Sequence, residues 1–382
     1  MTIVYSKVSE NGQSGEMSRY LLQLLVDYPF EIQRKSLVSQ DHIEISEPQS
    51  VNKDDRAIQI MTSQRFSPSA LGKYMRCPLL FYYKYIVGVD EPREEDGDTV
   101  DALLFGSVIH DAMEHLYKPF LYASMQQPVS RDMLEKLSKD KARIREAVDQ
   151  AFLGNIYREQ KAKSALPVRR PKKMQYNGLQ SISRDVIEQY VKRQIEYDSK
   201  SAPLYLLEIE TDIETRLSVI IPSTGQQHTV TLHGRLDRLD RVGTGQGEML
   251  RVVDYKTGRK EPKGIGEVAE IFDFNNVTSK HTDYFLQTML YALIVSEDKK
   301  YNPGPLPVGT LLMYVQNTGR NDYDPTLKCG GEPIANIECY RKEFLDGLRT
   351  MLGEMLDPSV PFEPTEDRKR CENCKMRWMC HL

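Results

Sequence analysis

The sequence lacks any apolar run long enough to span a membrane. Its first residues, MTIVYSKVSENGQSGE, are polar and hold no signal-peptide core. A cytoplasmic location without membrane attachment is the expectation. There is no excess of positive charge either. Lys and Arg number 51 against 55 Asp and Glu, for a formal net charge of −4. The basic total that advertises nucleic-acid binding is therefore missing, although a binding channel needs only a local basic surface. No Walker A loop occurs, so P-loop nucleotide hydrolysis is not expected. Cysteine is sparse, with six residues, and unevenly placed. Cys371, Cys374 and Cys380 crowd the C-terminus, whereas Cys77, Cys329 and Cys339 are scattered. In a large intracellular chain such clustering points to metal before disulfide.

What remains is the composition of a soluble globular protein, 28% charged and 40% hydrophobic. The 382 residues suffice for one large core or two domains. The most informative stretch is Gly234 to Gly258. Two runs of strand character, Thr229–Val242 and Met249–Tyr255, flank the Gly-rich turn GTGQGE. Side chains alternate along a strand, so Asp254 and Lys256 share one face and Tyr255 takes the other. A turn centred between Gly245 and Gln246 sets Asp237 opposite Asp254. Like charges so placed destabilise a sheet, and a divalent cation between them removes that penalty. Carboxylates with water suit Mg²⁺ or Mn²⁺. Lys256 on the same face could contact a scissile phosphate or orient the attacking water. A surface hairpin with scattered charges is the ordinary alternative, and a slip of one residue would undo the pairing.

Around the hairpin the chain reads as follows. YLLQLLVDY near the N-terminus is a short amphipathic helix, and the polar QDHIEISEPQSVNKDD after it is an exposed loop. Residues 1–64 look too thin for a core and are expected to be the trailing edge of a larger domain. Ser67 is a helix N-cap with Pro68 at the first helical position, and a new helix can start at Pro78. Phe81, Tyr82, Tyr83 and Tyr85 are expected to line core and groove, with base stacking as the alternative. Glu91–Asp101 is an acidic loop. In the following helix Gly106, His110 and Glu114 share a face, which offers His110 as a ligand. The segment from 130 to 200 is mostly helical. Its basic run, with Arg169, Arg170, Lys172 and Lys173, is either a solvated loop or a phosphate-tracking edge. LYLLEIETDIETRLSVII reads as strands with Glu208, Glu210, Asp212 and Glu214 on one acidic face. That face is solvated in the ordinary reading, or it lends a carboxylate to the metal. Asp283–Leu293 is an apolar helix from which Gln287 and Tyr291 emerge on one side. Val308–Gln316 is a strand and Tyr340–Leu356 a helix. Three prolines then lead into CENCKMRWMCHL.

Cys371, Cys374 and Cys380 need a fourth ligand. Cys77 is the best placed, with His381 as an alternative; Cys329 and Cys339, read in a Gly-rich loop and a strand, are less suited. Four thiolates suit Zn²⁺ or an iron–sulfur cluster. The one-plus-three split, with most of the chain between, favours a clamp around a 4Fe–4S cluster, with zinc as the alternative.

Taken in order, these features resemble the RecB-type nuclease domains of the PD-(D/E)XK superfamily, and most of all the C-terminal nuclease domain of the AddB helicase–nuclease subunits. The likeness rests on Gly106-x-x-x-His110, Gly234-Arg235-Leu236-Asp237-Arg238, Asp254-Tyr255-Lys256-Thr257-Gly258, Gln287-x-x-x-Tyr291 and the cysteine pattern. It implies a restriction-endonuclease-like α/β fold over residues 65–382, a central mixed sheet flanked by helices. A helical insertion would span 115–200, a Cys-rich tail over 357–382 would return to Cys77, and residues 1–64 would be a connector from a larger helicase-like chain. It also implies that His110, Asp237, Asp254 and the Tyr255 carbonyl bind the divalent metal, with Lys256 as the catalytic lysine. Gln287 and Tyr291 would orient DNA, and Cys77, Cys371, Cys374 and Cys380 would hold the cluster. Glu210 matches a less regular acidic position in the first core strand. The implied function is Mg²⁺- or Mn²⁺-dependent cleavage of DNA, most readily as an exonuclease on a single-stranded end, beside a helicase–nuclease partner subunit. A silent DNA-end-binding scaffold and a free-standing CRISPR- or phage-type nuclease are the competing expectations.

Overall fold

The computed structural model describes residues 19–27, 49–91, 100–123, 127–163, 169, 171 and 173–380. Most of the acidic loop after Glu91, most of the polar loop before Val51, and Arg170, Lys172 and His381 lie outside these residues. The chain divides into two units, Met1–Ile45 and Ser46–Leu382. In the first, the described part is helix α1 (Arg19–Asp27), where the sequence places a helix, with Tyr20 and Val26 exposed. Among the described residues no helix is long and apolar enough to cross a membrane.

The second unit takes in residues that the sequence assigns to the connector. Val51 bridges to Phe362, and Lys53 donates to the carbonyls of Glu354 and Asp357. Asp54 caps α2 (Asp55–Ser63), whose Ala57 and Met61 are buried. After the short β1 (Arg65–Phe66), Ser67 accepts from the Ala70 amide and Pro68 opens α3 (Pro68–Arg76). Pro78 restarts the chain as α4 (Pro78–Phe81), which runs into a π-helical turn, Tyr82–Val87. A helical layer follows: α5 (Ala102–Ala123), α6 (Arg131–Lys139), α7 (Lys141–Lys163) and α8 (Gly178–Lys200).

The sheet is built from β2 (Leu204–Ile220), β3 (Gln227–Val242), β4 (Met249–Lys256) and β5 (Val308–Tyr314). Between β4 and β5 lie α9 (Asn276–Ser279) and α10 (Thr282–Glu297). A small ribbon, β6 (Lys328–Cys329) with β7 (Glu332–Pro333), precedes α11 (Arg341–Leu356) and the short α12 (Lys369–Glu372). Strands β2, β3 and β4 pair antiparallel in that order, β5 lies parallel to β4, and β1 runs parallel beside β3. A parallel neighbour requires a crossover connection, and α10 supplies it.

Each face of the sheet buries one apolar core. Leu250 and Val252 of β4 pack with residues of α2, α3, α10 and α11. Val253 and Tyr255 pack on the other side with residues of α5 to α8. The result is a mixed sheet flanked by helices, consistent with a restriction-endonuclease-like fold.

Two details depart from the sequence reading. The segment read as strands over 204–221 is a single long strand, and its acidic alternation breaks. The register with β3 shifts between Leu206 and Glu208, and Glu210 adopts φ +48°. Glu208, Glu210 and Glu214 consequently reach different partners: Lys300, His110 and Arg65. In addition, Cys339 ends a 3₁₀ turn rather than lying in a strand.

Candidate active site

The hairpin register is the one that the turn arithmetic gives. Pairs run from Val242 opposite Met249 to Arg238 opposite Val253. The ladder ends at that pair, and its register continued by one step sets Asp237 against Asp254. The two carboxylates then diverge in their partners. Asp237 Oδ2 accepts the Tyr255 amide at 2.7 Å, and its Oδ1 lies 3.5 Å from His110 Nδ1. Asp254 Oδ1 accepts from Gln287 Nε2 at 2.7 Å. Its Oδ2 lies 2.7 Å from Lys256 Nζ, yet it is buried and lacks a well-aligned hydrogen bond.

His110 comes from α5, one turn ahead of Glu114. Its Nδ1 is 3.1 Å from Glu210 Oε1, and Glu210 Oε2 accepts from Arg235 Nε at 2.7 Å. One ligand atom from each of His110, Glu210 and Asp237 lies within 4.8 Å of the others. Among the described residues this is the group of metal-ligating side chains that comes together, and Asp254 is outside it. The residues alone offered Glu210 as one of four acidic residues on a strand, and the family resemblance matched it to a less regular acidic position. Its left-handed backbone singles it out, and strain of this kind, of order 1–3 kcal/mol, gathers at functional sites.

The electrostatics are those of crowded anions. Burial pushes the Asp237 carboxyl up to about 7, with Asp254 and Glu210 adding to the rise against the pull of His110 and Lys256. Burial works to lower the His110 imidazole, but Asp237 and Glu210 outweigh it and lift the group to about 9. Oxygen ligands with one imidazole, a carboxylate held against its own ionisation and the under-satisfied Asp254 Oδ2 together fit a divalent cation.

Lys256 sits beside this group. Its Nζ donates to Gln287 Oε1 at 3.1 Å and lies 4.9 Å from the Tyr284 ring centroid. Burial disfavours the ammonium, but Asp254 and Asp237 more than offset this and raise its pKa. Gln287 thus uses both ends of its amide, one on Asp254 and one on Lys256. Tyr291 lies a turn further along and is buried. Its ring fills the place where a Cβ on Gly234 would be, 2.4 Å from Cε1. Only glycine at 234 leaves room for that phenol. Gly106 allows a similar but looser approach, with a Cβ meeting Thr257 Oγ1 at 3.3 Å.

A buried charge network under the site was not foreseen. Arg238 forks onto Asp198 at 2.8 and 3.0 Å and donates to Tyr255 Oη at 2.7 Å. Its Nε lies 2.9 Å from Asp240 as an ion pair without hydrogen-bond alignment, and Asp240 also receives both arms of Arg251. A signal existed: the register that opposes Asp237 to Asp254 also opposes Asp240 to Arg251.

The cysteines form a second locality. Burial raises the Cys77 thiol and nearby Cys371 adds to the rise, against an opposing influence from the backbone around it. Burial and the neighbouring thiols Cys77, Cys374 and Cys371 push Cys380 up to about 11. The tail does not depend on these thiols alone. Phe362 and Met376 are buried, and Arg370 donates to the carbonyls of Arg76 and Phe274.

No curated protein matches the chain. A family model described as the PD-(D/E)XK nuclease superfamily matches residues 65–381, most of the sequence and every site residue above. Nucleases of that superfamily use divalent metals, in keeping with the histidine–carboxylate group. The chain belongs to the PD-(D/E)XK nuclease superfamily.

Proposed function

We propose that the protein is the exonuclease module of a cytoplasmic helicase–nuclease that processes double-strand breaks, in the manner of the AddB nuclease domain. It hydrolyses phosphodiester bonds at a single-stranded DNA end with Mg²⁺ or Mn²⁺. The observation that carries the reading is one amide, Gln287, tied at once to the Asp254 carboxylate and the Lys256 ammonium beside the His110–Glu210–Asp237 group. In this reading His110, Asp237, Asp254 and the Tyr255 carbonyl hold the cation, and Glu210 joins them. The bound cation supplies a Lewis acid for the phosphate and an acidified water. The Tyr255 amide fixes the Asp237 carboxylate. Lys256 donates to a phosphate oxygen and stabilises the charge that develops there. Gln287 holds Lys256 and Asp254 in register, and Tyr291 supports the Gly234 strand from below. Residues 65–382 constitute the nuclease domain, with a helical insertion over 115–200. Residues 1–64 connect it to a helicase-like chain and a partner subunit.

The test is cleavage of end-labelled single- and double-stranded DNA with Mg²⁺, Mn²⁺ or EDTA. Shortening of the single strand from its end, with either metal and not with EDTA, is the expected result. Cleavage that persists in EDTA, or none in either metal, would sink the reading.

We further propose that Cys77, Cys371, Cys374 and Cys380 clamp a 4Fe–4S cluster. Cys77, Cys374 and Cys371 all lie near enough to Cys380 to act on its thiol. Anaerobically purified protein is expected to be brown and to contain iron and sulfide; colourless protein with stoichiometric zinc would refute the assignment.

A further inference from the structure

His281 stands at the N-cap of α10 in a left-handed conformation, φ 56° and ψ 48°, and makes no side-chain cap bond. Left-handed geometry is unfavourable for a residue with a Cβ, and Asn or Gly suits it better. Histidine therefore contributes nothing to local structure that a better residue would not. What it does contribute is a ring. The imidazole stacks on Tyr284 with centroids 5.7 Å apart and planes 18° from parallel. Tyr284 is the ring against which Lys256 Nζ rests. Both rings are half-buried, so each keeps surface that a planar ligand can cover. Tyr284, Gln287 and Tyr291 recur at helical spacing along one face of α10, so this aromatic step begins where the lysine acts.

A basic loop borders the step. The segment after Lys256, GRKEPK, is anchored where Tyr314 Oη donates to the Lys260 carbonyl and the Lys263 amide donates to the Lys280 carbonyl. Lys260 and Arg76 are close enough to act on the His281 ring, which burial and these two cations hold below its usual pKa against the opposing pull of Asp283. Arg76 also lies 3.7 Å from Asp283. A neutral, partly exposed ring stack flanked by cations is the combination that holds single-stranded nucleic acid: bases stack on the rings and the cations follow the phosphates.

We infer that His281 and Tyr284 form a stacking step for one unpaired nucleobase beside the phosphate that Lys256 engages. The inference rests on the nuclease reading above and deepens it, because a base inside a duplex has no free face to offer. The site is read by stacking, so it accepts any base and selects for an unpaired strand.

The experiment uses the full chain and a short single-stranded oligothymidylate in which one abasic nucleotide is moved through the sequence. Binding is measured by fluorescence anisotropy in EDTA, and cleavage by rates in Mn²⁺. Wild-type protein is expected to lose affinity on the order of ten- to a hundred-fold at one abasic position and little elsewhere. His281→Asn keeps a residue suited to the left-handed cap but removes the ring. It should bind the intact strand more weakly and lose the position-specific penalty. A positional penalty without cleavage would uphold the stacking step and reject the nuclease reading. Cleavage, or binding, with no positional penalty in the wild type would overturn the stacking step alone. Failure to bind the single strand would overturn it as well. An equal penalty in His281→Asn, with an unchanged melting temperature, would assign the stacking to another residue and also overturn it.

Discussion

Lys256→Ala protein is expected to bind DNA and metal but to cleave on the order of 10²- to 10³-fold more slowly, the usual cost of removing one donor aimed at developing charge. The argument starts from burial. The Lys256 side chain is 19% exposed and Asp254 is 2% exposed. Asp254 and Asp237 nonetheless keep the ammonium charged at neutral pH, since they raise its pKa against the pull of burial. A fixed positive charge with little water around it stabilises an anion far better than a solvated one. Asp254→Asn should fail in the same way for a different reason. It removes the counter-ion of Lys256 and leaves the lysine beside Asp237, while the amide still accepts from Gln287. Cleavage rates on end-labelled single strands, set against anisotropy binding curves in EDTA, separate the two effects. Wild-type rates in either variant would remove these residues from the chemistry.

The second large effect is on stability. Arg238→Met should cost about 3–5 kcal/mol in denaturant unfolding, because it strands charge in the interior. Arg238 is 1% exposed, and its partners Asp198 and Asp240 are buried as completely. The network holds two aspartates and two arginines, Asp198, Asp240, Arg238 and Arg251, and so balances. Asp198 also accepts from Tyr117 Oη at 2.6 Å and from Gln194 Nε2 at 3.2 Å. Without Arg238, Asp198 keeps only these neutral donors. The exposed pair Arg131–Glu135 is the control. Its arginine is 69% exposed, and Arg131→Ala should cost no more than about 1 kcal/mol. A loss at Arg238 as small as that would show that the buried network contributes little. Tyr255 ties this network to the site. Its hydroxyl accepts from Arg238 while its amide holds Asp237, so a loosened network should also slow cleavage.

The parts of this molecule that were legible in the sequence are those set by local rules. A Gly-rich turn between alternating strands fixed the register, and with it the opposition of Asp237 and Asp254. Ser67-Pro68 announced a helix start, and Pro78 a restart. Features that depend on tertiary partners were hidden. Glu210 reaches His110 only because β2 slips its register and takes a left-handed residue, and alternation assumes a regular pleat. Arg238 finds Asp198 on a helix that the hairpin does not contain. Val51 and Lys53 dock on the far end of the unit, and no local pattern distinguishes them from a linker.

The crossover through α10 has a consequence for the order in which the chain is made. His110, Glu210, Asp237, Asp254 and Lys256 all precede α10, whereas β5, which completes the parallel pair, follows it. During synthesis the ligands and the lysine are therefore present before the helix that aligns them can dock, because parallel pairing of β4 and β5 waits for the crossover. A partly made chain holds the reagents of a nuclease without their alignment. The aligned arrangement is then complete only once the last strand of the sheet has been made.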